Sequence, residues 1–184
     1  MRNFDVRIGW LLTLSLVAAM LMLVVGPVVA QESSATPVPE DLKAPANEKL
    51  LLQVHATGDQ IYTCQVNAAN NPATWVLKAP DAKLFGADGK AFGKHFAGPT
   101  WEATDGSRIV GKAAASAASP DVDSVPWLLV KVVSHAGSKG VLSPVSSIQR
   151  INTKGGKAPA DGCNATGLET RSPYSADYLF YVPK

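Results

Sequence analysis

Alternation constrains this chain more than any other feature. Near the C-terminus, Tyr174, Ala176, Tyr178 and Phe180 alternate with Ser175, Asp177, Leu179 and Tyr181, leaving one side apolar and aromatic. The same period runs through Tyr62, Cys64 and Val66, and through Phe92, Lys94 and Phe96. Every second side chain shares a face only along a strand. Turn residues separate these stretches at Thr57-Gly58-Asp59, Pro80-Asp81, Asp88-Gly89, Gly98-Pro99, Asp105-Gly106 and Gly137–Gly140. About eight to ten short strands fit between such signals, and helical periodicity is almost absent. The spacing predicts an all-β fold: an antiparallel β-sandwich or barrel with short loops and little helix.

Several boundaries follow. Leu50–Ala56 and Gln60–Val66 read as strands joined by the Gly58 turn, and Asn67–Pro72 as a loop. Trp75–Ala79 is a short strand stopped by Pro80-Asp81, and Ala91–Phe96 is another. Beyond Lys112 the chain turns Ala/Ser-rich, which predicts an exposed loop or a short helix over Lys112–Ala118. The continuous apolar run in Val125–Val133 predicts a central strand buried on both faces, and Val145–Thr153 a more polar one.

The N-terminus has a basic start with Arg2 and Arg7, an apolar run from Ile8 to Val25, and small residues up to Ala30. That order is the pattern of a secretory signal peptide over residues 1–30, with an uncleaved anchor as the alternative. Residues 31–47 are rich in Pro, Ser, Ala and Glu and read as a flexible leader. Residues 48–184 are left as one secreted or periplasmic β domain, with no stable membrane insertion after cleavage. In an exported chain the two cysteines, Cys64 and Cys163, make one bridge, two buried free thiols being the alternative. A bridge closing about 100 residues is worth about 4–5 kcal/mol in the chain-entropy model. The net charge is +2 with no basic stripe or charge block, which gives no basis for nucleic-acid binding.

The stretch from Gly93 to Ser107 is the densest in unusual chemistry. It holds His95, Trp101, Glu102 and Asp105 among four punctuating residues. A two-residue Asp105-Gly106 turn would pair Thr100–Thr104 with Ser107–Lys112. Thr104 would then face Ser107, and Trp101 would share a face with Arg108 as a cation–π neighbour. His95 with Glu102 or Asp105 has the residue types for acid–base work. The plain alternatives are that Asp105 serves its turn and that His95 pins the Gly98-Pro99 turn. Arg150, on a half-buried strand, either pairs with a carboxylate such as Asp177 or Glu102 or recognises an anionic ligand. Tyr62, Trp75, Tyr174, Tyr178 and Tyr181 offer either an aromatic platform for sugar rings or core packing. His55, His95 and His135 lack metal-ligand spacing, so neither a metal nor a cofactor is expected. Ser107 lacks a nucleophile elbow. Asn164-Ala165-Thr166 is a glycosylation acceptor sequence.

The segments Gln60-Ile61-Tyr62-x-Cys64, Gly93-x-His95-x-x-Gly98-Pro99-x-Trp101-Glu102, Asp105-Gly106-Ser107 and Pro126-Trp127-Leu128-Leu129 come in order. They are followed by Ile148-Gln149-Arg150-Ile151-x-Thr153-x-Gly155-Gly156 and Tyr174-x-Ala176-Asp177-Tyr178-x-Phe180-Tyr181. From about Glu48 to the C-terminus the chain thereby resembles a secreted family catalogued as domain of unknown function 3455. The resemblance implies no established activity. A malate dehydrogenase label carried by some relatives finds no support in these residues, which show no Gly-rich strand–turn–helix fingerprint.

Three functions stay open on the residues alone. The first is a non-enzymatic β domain that binds a small or extracellular ligand around His95, Trp101, Glu102, Asp105 and Arg150. The others are a secreted hydrolase or lyase using His95 with Glu102 or Asp105, and a structural envelope or matrix protein.

Overall fold

The computed structural model describes residues 37–66 and 73–184. Eight antiparallel strands follow one another around a closed barrel, each hydrogen-bonded to its neighbours in sequence, with the last paired to the first. They are β1 (Glu48–Val66), β2 (Ala73–Phe85), β3 (Ala91–Phe96), β4 (Thr100–Ala103), β5 (Ser107–Ala117), β6 (Trp127–Gly137), β7 (Ser147–Gly155) and β8 (Glu169–Pro183). Closure removes free sheet edges. The β1–β8 seam carries it, from Glu48 opposite Pro183 to Thr63 opposite Glu169. The segment read as a signal peptide, residues 1–30, and the stretch read as a loop, residues 67–72, lie outside the described residues. No helix among the described residues is long and apolar enough to cross a membrane.

The structure corrects four local expectations. First, β1 runs unbroken through Gly58, where a turn was expected. A Cβ on Gly58 would stand 2.2 Å from the Asp81 carbonyl oxygen, so this glycine allows two backbones to approach rather than turning one. Second, β2 continues through Pro80, which sits opposite Gln60. Pairing with β3 spans only Ala82–Phe85, so the N–H that proline lacks falls beyond that ladder. Third, the Ala/Ser-rich segment continues β5 to Ala117 as a strand rather than a loop or helix. Fourth, β6 is not buried on both faces: Trp127 and Val130 are buried, while Val133 is exposed.

The alternation in β8 places Tyr174, Ala176, Tyr178, Phe180 and Val182 inside. One end of the barrel is apolar, filled by Phe180, Ile148, Leu84, Val54 and Ile109, with Leu142 and Val145 of the β6–β7 connection laid over it. The interior towards the other end holds Gln60, Trp101, His95, Arg150 and Tyr178, all buried. Outside, a 3-10 turn at Glu40–Leu42 seats the fully buried Leu42 near Gln149, whose side-chain amide donates to the Leu42 carbonyl. Part of the segment read as a flexible leader is thus packed on the barrel wall, through a single apolar side chain that leaves no periodic signal.

Candidate functional site

The β4–β5 hairpin decides which residues face inward. Trp101 pairs with Ile109 and Glu102 with Arg108, one residue out of the register expected from a two-residue turn. The connection is Thr104-Asp105-Gly106, with Gly106 at φ 85° and its N–H donated to the Ala103 carbonyl. A slip of one residue exchanges the faces of a strand. Trp101 therefore points inward and Arg108 outward, and the cation–π pair between them does not form. Arg108 Nε instead donates to Glu102 at 2.6 Å, and Lys94 approaches the same carboxylate at 3.1 Å. Their hydrogen bonds and charges lower the Glu102 pKa, the Lys94 bond first.

The five candidates do not converge. His95, Trp101 and Arg150 are inside, and Glu102 is on the outer face. Asp105 stands at the apolar end, where its carboxylate accepts from Ser107 N–H at 2.9 Å, Ser107 Oγ at 2.6 Å and Val141 N–H at 2.7 Å. These bonds lower its pKa, the Ser107 hydroxyl contributing most, and tie the turn to the connection that carries Leu142. No acid–base pair of His95 with either carboxylate is assembled.

His95 is stacked on Trp101, ring centroids 4.2 Å apart and planes 13° apart, with Tyr178 edge-on at 5.2 Å. Its Nδ1 lies 2.8 Å from the Thr100 carbonyl, which places a proton there as donor. Burial lowers its pKa from 6.5 to about 3, the Thr100 bond opposing and the Arg150 charge assisting. The imidazole is neutral at ordinary pH and forms a flat wall behind the indole.

Arg150 comes from β7, between Tyr178 on β8 and Leu128 on β6. Its Nε and one terminal nitrogen donate to the Pro126 carbonyl at 3.1 and 2.8 Å. Neither expected carboxylate reaches it. Asp177 accepts from His55 and Asn152 outside the barrel, and Glu102 is engaged as described. Among the described residues no acid forms an ion pair with Arg150. Burial raises the Tyr178 pKa and the Arg150 charge opposes it.

Arg150 and Trp101 line a cavity of about 310 Å³, together with Gln60, Tyr178, Leu128, Val130 and the Gly98-Pro99 turn. Gln60 Nε2 and Trp101 Nε1 are buried without a hydrogen-bond partner, as is Trp127 Nε1 away from this cavity. Gln60, which the sequence did not single out as a candidate, enters the site by alternation: it shares a parity with the buried Tyr62 on its own strand, as Tyr178 does with Tyr174 and Phe180. The expected aromatic platform is dispersed. Tyr62 donates to the Gly156 carbonyl, Trp75 to Asp161 and Tyr181 to Gln149, while the Tyr174 hydroxyl lies 3.5 Å from that of Tyr178. Among the described residues no group of three or more His, Cys, Asp or Glu is placed to hold a metal ion.

Fold and cavity define a class: a closed antiparallel barrel whose interior, among the described residues, carries the Arg150 cation among aromatic walls. Residues 45–182 match the family model described as Protein of unknown function (DUF3455), and the chain belongs to that family. No curated protein and no solved structure matches the chain.

Proposed function

We propose that the barrel binds a small organic ligand in its interior cavity. The observation that carries this reading is the uncompensated polarity of a buried space. A buried charge without a partner ion is expensive, and an unpaired buried donor costs about 1–3 kcal/mol. Three such groups, Arg150, Gln60 Nε2 and Trp101 Nε1, belong to residues that line one cavity. Unpaired buried groups in a fold call for an explanation, and a ligand that completes them is the one a cavity beside them supports. The cavity is near the lower end of the roughly 300–1,000 Å³ of small-molecule sites. The ligand is therefore compact, and the rims of aliphatic and aromatic side chains hold its apolar body.

We place this binder outside the reducing compartments. The Cys64–Cys163 disulfide, spanning 99 residues of sequence with Cα atoms 5.8 Å apart, supports that reading together with the basic-then-apolar N-terminus. A thermal-shift screen of the chain from residue 37 onward against neutral and anionic aromatic compounds tests the binding. Stabilisation that rises with ligand concentration is expected. A screen in which no compound raises the melting temperature, or in which Trp101→Ala leaves every shift unchanged, contradicts it.

A further inference from the structure

Three of the residues that line the cavity bring side-chain donors: Gln60 and Trp101, whose Nε2 and Nε1 are buried without a partner, and Arg150, whose cation forms no ion pair among the described residues. Resting on the ligand-binding reading above, we infer that the site selects aromatic monocarboxylates, with Arg150 receiving the carboxylate and the Trp101 side receiving the ring.

The geometry of Arg150 points to a carboxylate. The Pro126 carbonyl takes Nε and one terminal nitrogen, which fixes the guanidinium plane. The rest of the guanidinium has the Tyr178 hydroxyl beside it and meets no carboxylate, so the edge formed by the two terminal nitrogens lacks an anionic partner. That edge presents parallel N–H groups matched to two carboxylate oxygens. One buried cation also answers one negative charge. Lys78 at the rim is already paired with Glu169, so a dianion such as a phosphate monoester would carry a second charge into a site with nothing to meet it.

The ring follows from the walls. The Trp101 indole is backed by His95 and met edge-on by Tyr178 at 5.6 Å and 72°, so three rings fix one another. Gly111 lies beneath the indole: a Cβ there would stand 3.0 Å from Trp101 Cζ3 and 2.4 Å from Val130 Cγ1. The wall is thus held flat and rigid. Leu77, Pro80, Leu128 and Val130 add apolar surface to the lining. A planar ring of one or two cycles fits the volume.

Calorimetric titration at pH 7 tests the assignment with matched acids and primary amides: benzoate and benzamide, cinnamate and cinnamamide, 2-naphthoate and 2-naphthamide. Each acid is expected to bind roughly tenfold or more tightly than its amide, as a charge-assisted pair would give. Arg150→Met should erase that preference while amide binding stays within about twofold. Arg150→Gln, which keeps a donor for the Pro126 carbonyl, should do the same and secures the test if the methionine variant is poorly folded. Glu102→Gln, outside the barrel, should change neither ligand's affinity. Amides that bind as tightly as acids, or acids that bind the Arg150 variants as tightly as the wild type, overturn the carboxylate assignment and leave the cavity a neutral-ligand site. Binding of neither series overturns the assignment together with the reading it rests on.

Discussion

His95 is 2% exposed, and its imidazole is held neutral to a pH of about 3 while an unfolded histidine titrates near 6.5. Between those values the unfolded chain binds one proton more than the folded one. Stability is therefore complete above about pH 6.5 and falls as the pH drops toward 3, by about 1.4 kcal/mol per pH unit. The paired carboxyls, Glu102 and Asp105 among them, are lowered and stay ionised through the upper part of this window. Urea unfolding at pH 6.5, 5.5 and 4.5 separates the contribution, with His95→Asn as reference. The wild type is expected to lose about 2–3 kcal/mol relative to the variant over that range. A difference that does not change with pH contradicts a buried neutral histidine. The residue types of the site were legible in the sequence, but their faces were not. His95, Trp101 and Arg150 stood out as aromatic or charged groups on alternating strands. Glu102 and Asp105 stood out equally, because a stretch rich in chemistry gives no sign of which side of the sheet each member occupies.

The strands show why their limits were harder to read than their existence. Gly and Pro are read as breaks because they usually are, yet Gly58 and Pro80 lie inside two long neighbouring strands. What decides Gly58 is a cross-strand approach, which has no local signature. The consequence is measurable. In Gly58→Ala the new Cβ meets the Asp81 carbonyl oxygen and the Ala82 backbone, neither of which can rotate away. Overpacking of this kind costs about 1–3 kcal/mol, so the melting temperature should fall by several degrees. Gly162→Ala, whose Cβ finds only the Ala73 carbonyl oxygen at 3.7 Å, should leave it unchanged. Equal melting of the two variants would remove the close approach from the account. The hairpin makes the same point about register. Asp105-Gly106 marked the turn correctly, but a third residue, Thr104, joined it. That one position moved Trp101 into the barrel opposite Ile109 and put Glu102 beside Arg108.

At the scale of the whole molecule, the all-β class follows from alternation, whereas closure does not. Nothing in β1 or β8 alone states that they pair, and a sandwich would satisfy the same periodicities. Closure turns every inward parity into a shared interior, and so brings Gln60 of β1 to a cavity with Arg150 of β7 and Trp101 of β4. The disulfide ties the approach to β8 back to β1: the Cys64 N–H donates to the Leu168 carbonyl and the Gly167 N–H to that of Cys64. With the barrel closed on this seam, the proposed function makes Arg150 an interior group kept for a ligand. Equilibrium urea unfolding of wild type and Arg150→Met, each with and without saturating 2-naphthoate, tests this most directly. The account predicts that Arg150→Met alone is as stable as the wild type or more so, since removing a buried unpaired charge offsets the lost bonds to Pro126, and that the ligand stabilises the wild type by about 1.4 kcal/mol more than the variant, as a tenfold difference in affinity gives. An Arg150→Met protein that is less stable than the wild type by several kcal/mol, with no ligand effect on either, would make the arginine a structural strut and contradict the account.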